Sequence, residues 1–229
     1  MVLAAAIQLE AVIGDVAANL GKCAQLAAEA GRAGAKIIAL PEFFTTGIAF
    51  DPALRDAALP PEGAATELLR TLAHHYDALV GGSFLCRDKD GHVRNAYFAA
   101  DATGMIGRHD KDLPTMWENA FYIGGQDDGV FRAGTLNVGA AVCWELMRTR
   151  TARRMRAHVA GDGGLRLVVD TSMAATRHLR GHGAPQSPNR QGGGRHVRQI
   201  CWCPGCSRRA RRRIPLCHAL DPPRISRPL

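Results

Sequence analysis

The chain has 229 residues, 46% of them hydrophobic, and a formal net charge of +8. That size supports one substantial core and a single domain by default, and no stretch approaches the ~18 apolar residues of a membrane span. The positive charge alone would suit a nucleic-acid partner, yet Thr171–Leu229 holds 12 Arg, no Lys and one acidic residue (+11), whereas Met1–Asp170 holds 17 basic and 20 acidic residues (−3).

Val2–Leu9 is an apolar run suited to a buried strand. Asp15 can cap a helix in which Leu20, Cys23, Leu26, Ala27 and Ala30 fall at helical spacing, ending near Gly31 or Gly34. Lys36–Leu40 is a second short strand, closed by Pro41. Strand, helix, strand indicates an α/β domain. Pro60-Pro61-Glu62-Gly63 breaks the chain, and a helix resumes over Ala64–Tyr76. Leu79–Leu85 and Val93–Ala100 are strands joined through the hairpin signal Asp88-Lys89-Asp90-Gly91. Another tight turn at Asp101–Gly104 leads into Met105–Arg108, so the sheet is expected to be mixed. Asp112–Gly129 is polar and aromatic without periodicity and reads as a long functional loop. Leu136, Val138, Ala140 and Val142 then alternate in a buried strand, a basic helical pattern runs from Arg148 to about Val159, and Leu165–Asp170 is one more strand.

Three reactive side chains follow strands. Cys143 leaves the Leu136–Val142 strand where a backbone can turn sharply, and a helix N-terminus beyond it would help to stabilise the thiolate. A free cysteine is more ordinarily a small buried hydrophobe. Glu42 lies beyond the second strand beside Phe43 and Phe44, and an apolar wall raises a carboxyl towards the range of a general base. Lys111 ends a hairpin strand. Separately these read as a turn glutamate and a solvated lysine; together they supply a base, a nucleophile and an ammonium for a developing oxyanion. Trp117, Phe121 and Tyr122 either line an apolar substrate pocket or pin their loop to the core. His74-His75 ends a helix with no third ligand nearby, so no metal is assigned. The N-terminus lacks a basic leader, and Gln8, Glu10 and Asp15 interrupt its apolar run. A cytoplasmic location is expected, where thiols stay reduced.

Glu42, Lys111 and Cys143, in that order and each at a strand end, resemble the nitrilase (carbon–nitrogen hydrolase) superfamily over roughly Val2–Asp170. The carriers are Leu40-Pro41-Glu42-Phe43, Lys111-Asp112-Leu113-Pro114 with Glu118 beyond, and Val138–Cys143 followed by Trp144-Glu145. The resemblance implies an α-β-β-α sandwich with mixed sheets, an amide or less readily a nitrile or carbamoyl substrate, no cofactor, and a homodimer. It also implies roles: Glu42 as base, Cys143 as nucleophile, Lys111 as oxyanion stabiliser aided by the Trp144 backbone N–H, and Glu118 as positioning residue.

Beyond Asp170 the resemblance stops. Thr171–Leu229 has no Phe or Tyr, eight Leu, Ile or Val residues and seven of the 12 prolines, which is too little apolar area to offset ordering entropy. The segment is therefore expected to be disordered, leaving the fold incomplete and activity weak or absent. Cys201, Cys203, Cys206, Cys217 and His218 do not follow a common zinc spacing. Arg208–Arg213 offers a rival function, a nucleic-acid-binding tail on an α/β scaffold. A frameshift explains the tail better: Arg without Lys, with abundant Pro, Gly and Cys, is what a GC-rich gene yields out of frame. Gln199–Ser207 can be back-translated so that the frame one nucleotide later reads R-S-V-G-A-P-V-V, an apolar strand, placing the switch between roughly Val159 and Arg195.

Overall fold

The computed structural model describes residues 2–159, 165–171 and 197–202, with side chains through residue 155. β1 (Val2–Ile7), α1 (Val16–Arg32) and β2 (Ile37–Ala39) form the opening unit. Asp15 caps α1 by accepting the Ala18 N–H at 2.9 Å, a donor that the first helical turn leaves open. Asn19, Cys23, Leu26, Ala27 and Ala30 form its buried face. The helix ends at Arg32, between the Gly31 and Gly34 that mark its end in the sequence, and α2 (Ala64–Tyr76) lies across it: a Cβ on Gly31 would meet the Tyr76 ring at 2.4 Å.

β3 (Leu79–Arg87), β4 (Val93–Asp101) and β5 (Gly104–Asp110) follow as consecutive antiparallel hairpins. β1, β2 and β3 pair in parallel, so the sheet is mixed, as the turn signals predict. A second sheet holds β6 (Val130–Ala133), β7 (Leu136–Val142) and β8 (Leu165–Thr171), antiparallel and then parallel. The sequence pattern does not reveal β6, whose four residues are too few to show alternation; Gly134, at φ 56°, turns it into β7.

Val197–Trp202 forms β9, parallel to β1 from Val2↔Val197 to Ile7↔Trp202. This places a strand inside the segment expected to lack order. Val197 and Ile200 are two of that segment's eight Leu, Ile or Val residues and Trp202 is its one tryptophan, and β1 offers a backbone edge for the strand to join. The first sheet is ordered β5-β4-β3-β2-β1-β9 and the second β6-β7-β8. Cys206, Cys217, His218 and Arg208–Arg213 lie outside the described residues.

The layers are α-β-β-α. Ala27, Ala30, Leu69, Leu72 and Ala73 of the first two helices pack on one face of the large sheet. Its other face meets the small sheet through Ile37, Leu79, Tyr97 and Ala99 against Val138, Ala140 and Val142. α3 (Thr149–Val159) covers the outer face of the small sheet, with Met155 1% exposed. Among the described residues, no helix is long and apolar enough to cross a membrane.

Packing against β3 carries a test. A Cβ on Gly82 would lie 2.7 Å from Leu40 Cβ and 3.0 Å from the Phe44 ring, the two residues that bracket Glu42. Gly82→Ala is expected to destabilise the fold by about 1–3 kcal/mol through overpacking, read as a lower urea or thermal midpoint. An unchanged midpoint would contradict this close approach.

Candidate active site

Glu42 is placed by a backbone clamp. Leu40 N–H donates to Gly81 O at 2.7 Å and Phe44 N–H to Ser83 O at 3.1 Å, holding the segment after β2 against β3. Between these anchors Phe43 takes φ 54°, and Glu42 is fully buried. Asn95 Nδ2 donates to Glu42 Oε1 at 2.8 Å, while Oε2 is buried without a hydrogen-bond donor. Burial pushes this carboxyl up to about 7, against the opposing pull of Lys111.

Lys111 leaves β5 with its N–H donating to Asn95 O at 3.0 Å. Asn95 therefore orients both reactive groups, one through its side chain and one through its backbone. The Lys111 ammonium is fully buried and donates to Glu42 Oε1 at 3.1 Å and to Glu118 Oε1 and Oε2 at 3.1 and 3.0 Å. Burial favours its neutral form, but the two carboxylates outweigh this and hold its pKa above the usual value. Glu118 sits in the 3-10 turn Met116–Ala120 and accepts the Tyr122 hydroxyl at 2.8 Å.

Cys143 ends β7 with φ 58°, a backbone conformation that non-glycine residues seldom adopt outside functional turns. The side chain is partly exposed. The sequence reading starts the next helix near Arg148, and α3 does start at Thr149; between it and Cys143 the structure adds a short 3-10 turn, Cys143–Met147, that carries the helix end away from the thiol. Consequently no helix end supports a preformed thiolate. Burial first, and then the negative charge of Glu42, push the thiol up to about 12, with Lys111 pulling the other way. The thiol thus rests protonated beside a carboxylate able to take its proton. The backbone N–H of Trp144, in the opening turn, falls where a helical start has no intrahelical acceptor.

The aromatic residues of the loop divide. Phe121 is 2% exposed, in a cluster with Phe43, Ile48, Leu85 and Val93, and Tyr122 joins the same cluster. Both pin the loop to the core. Trp117 is half-buried and meets Phe121 and Phe50 edge to face at centroid distances of 5.5 and 5.9 Å. Trp144 is 55% exposed.

Sequence reading missed Asn95, because an asparagine inside an apolar strand gives no signal of the strand end it faces. It also missed the pairing of His109 with Glu145 and Asp127, whose separations of 36 and 18 residues hide the contact. No group of three or more His, Cys, Asp or Glu among the described residues is arranged to hold a metal ion.

A carbon–nitrogen hydrolase family model matches residues 3–161. A nitrilase from Pyrococcus abyssi is 30% identical over 162 residues, covering 68% of this chain and 60% of the relative. The ω-amidase YafV of Yersinia enterocolitica is 34% identical over 112 residues, 48% of this chain and 42% of the relative. Among solved structures, a CN-hydrolase superfamily protein from Xanthomonas campestris superposes with a TM-score of 0.62 at 25% identity, covering 72% of this chain and 63% of that one. A nitrilase-superfamily amidase from Nesterenkonia AN1 gives a TM-score of 0.62 at 20% identity, with 73% and 63% coverage, and bears on the fold alone. The chain thus spans less than two thirds of the length of these relatives.

The buried trio makes a stability prediction. Glu42 has a folded pKa of about 7 against 4.5 ordinarily, so its contribution is fully present below 4.5 and lost as pH rises through about 7. Lys111→Met leaves two buried carboxylates without their cation, a loss of about 3–5 kcal/mol, and raises the Glu42 pKa further. The deficit relative to the parent chain is therefore expected to widen between about pH 5 and pH 8 in urea titrations. A deficit independent of pH would contradict the assignment.

Proposed function

The chain belongs to the carbon–nitrogen hydrolase family, and from that premise we propose that it cleaves a non-peptide C–N bond through a Cys143 thioester. The observation that supports this most strongly is the meeting of three side chains from separate strand ends: a protonated thiol on a positive-φ turn, a buried carboxylate with an undonated oxygen, and an ammonium held between carboxylates.

In this reading, Glu42 takes the Cys143 proton as Sγ attacks the carbonyl carbon. The carbonyl π pair moves to oxygen, where Lys111 and the Trp144 N–H meet the developing charge. Collapse expels the amine, which Glu42 protonates. Water then gives a proton to Glu42 and its hydroxide attacks the thioester. The carboxylic acid leaves and the thiol is restored. Glu118 shares the Lys111 ammonium with Glu42, so Lys111 is held by two carboxylates at once.

An amide is the substrate class proposed, with the ω-amidase activity for which YafV is named in support; a nitrile is the alternative, supported by the Pyrococcus relative. Turnover by the 229-residue chain is expected to be weak, because the sheet carrying Cys143 has three strands among the described residues against six in its partner. The family match ends at residue 161, in keeping with a change of reading frame after about Val159; the gene's nucleotide sequence would decide that.

Intact-mass measurement after incubation with simple aliphatic amides should reveal an acyl adduct on Cys143, absent in Cys143→Ala. Adduct formation should rise with pH through about 7 as Glu42 ionises, and Glu42→Gln should slow it by about 100-fold or more. Adducts from nitriles alone would shift the reading to a nitrilase. Amide hydrolysis that persists without Cys143 would sink the mechanism.

A further inference from the structure

Three buried or partly buried ionisable groups beside the nucleophile have no part in these steps: His109, Asp127 and Glu145. His109 is fully buried near the end of β5. Its Nδ1 meets Asp127 Oδ1 at 2.5 Å, and its Nε2 meets Glu145 Oε2 at 2.9 Å and Oε1 at 3.1 Å. Each ring nitrogen faces a carboxylate oxygen, so both bonds form only when both nitrogens carry protons. Burial opposes that charge, but the two carboxylates prevail and bring His109 up to about 9.

Glu145 is also fully buried, and its oxygens reach backbone on both sides. Oε2 accepts the Val142 N–H at 2.7 Å and Oε1 accepts the Asp112 N–H at 2.7 Å. Val142 immediately precedes Cys143, and Asp112 immediately follows Lys111. One carboxylate therefore ties the nucleophile turn to the exit of the lysine strand. On the other side of the imidazole, Asp127 accepts the Asp110 and Gly129 N–H groups at 2.9 and 2.8 Å. The neighbouring charges are otherwise engaged: Asp110 with Arg108 and Arg94, Asp112 with Arg148 and Thr151, and Lys111 with Glu42 and Glu118.

We propose that His109 is a positioning residue: gripping Glu145 from behind, it keeps that carboxylate on the Val142 and Asp112 amides and so fixes the Cys143 turn relative to Lys111. Without the imidazole, Glu145 loses the donor that meets its oxygens at 2.9 and 3.1 Å, and the carboxylate is free to turn off one of the two amides. The nucleophile turn or the lysine exit then relaxes, though His109 touches neither substrate nor Cys143.

The test compares His109→Phe with His109→Gln, whose amide can still donate to Glu145. Hydrogen exchange at the Val142 and Asp112 amides should be about tenfold faster or more in His109→Phe. Phe84 and Tyr97, in the strands of the large sheet, should keep their protection and report the intact fold. His109→Gln should stay within about threefold of the parent chain at both amides. The kinetic arm rests on the proposed hydrolysis: His109→Phe should lower kcat about tenfold with KM unchanged, since misplacement acts on the chemical step. Exchange does not rest on it, so a parent chain without turnover would fail that reading and leave this one decided by the amides. Parent-like protection of Val142 and Asp112 in folded His109→Phe overturns the proposal. If that variant does not fold, Asp127→Asn takes its place: about threefold faster exchange at both amides supports the proposal and unchanged exchange overturns it.

Discussion

A lysine ammonium fully removed from water, with a carboxylate on each side, is the constraint around which this fold is arranged. An isolated buried ammonium would lose its proton, and isolated buried carboxylates would gain one. With the ammonium 3.0–3.1 Å from each carboxylate, the three groups can stay charged only while β2, the end of β5 and the loop bearing Glu118 keep their spacing. Such an arrangement gives up stability relative to an apolar core of the same volume. What it retains is a set of charges already oriented, as the oxyanion role proposed for Lys111 requires.

The Cys143 thiol is governed by the same field. A thiol near a helix N-terminus or an unshared lysine would ionise at rest, but here Glu42 counters Lys111 and burial adds to it, so Cys143 holds its proton. In the proposed mechanism its activation falls to Glu42, whose pKa burial raises to about 7. The positive φ of Cys143 is maintained from behind by Glu145, which occupies the Val142 and Asp112 N–H groups at once. Strain at the turn and charge at the strand end are therefore secured by a single buried carboxylate.

Much of the fold was legible before the coordinates. Asp15 announced the start of α1, Asp88–Gly91 and Asp101–Gly104 announced the hairpins, and the alternation of Leu136–Val142 announced β7, because caps, turns and two-residue periodicity are local properties. The failures were also physical. β6 was too short to show a period. β9 was unreadable because a strand among arginines and prolines depends on the edge of β1, some 190 residues away by chain.

By itself the sequence determined the order of the elements and the strand ends on which Glu42, Lys111 and Cys143 stand, since apolar runs stop before Glu42 and Cys143 and a hairpin turn starts the strand before Lys111. Only the tertiary structure decided how those groups are charged. Asn95 joining Glu42 to Lys111, Glu118 balancing the lysine, and His109 backing Glu145 are contacts across 7 to 69 residues. Protonation depends on burial and on distances of a few ångströms, and neither exists until the two sheets close on one another.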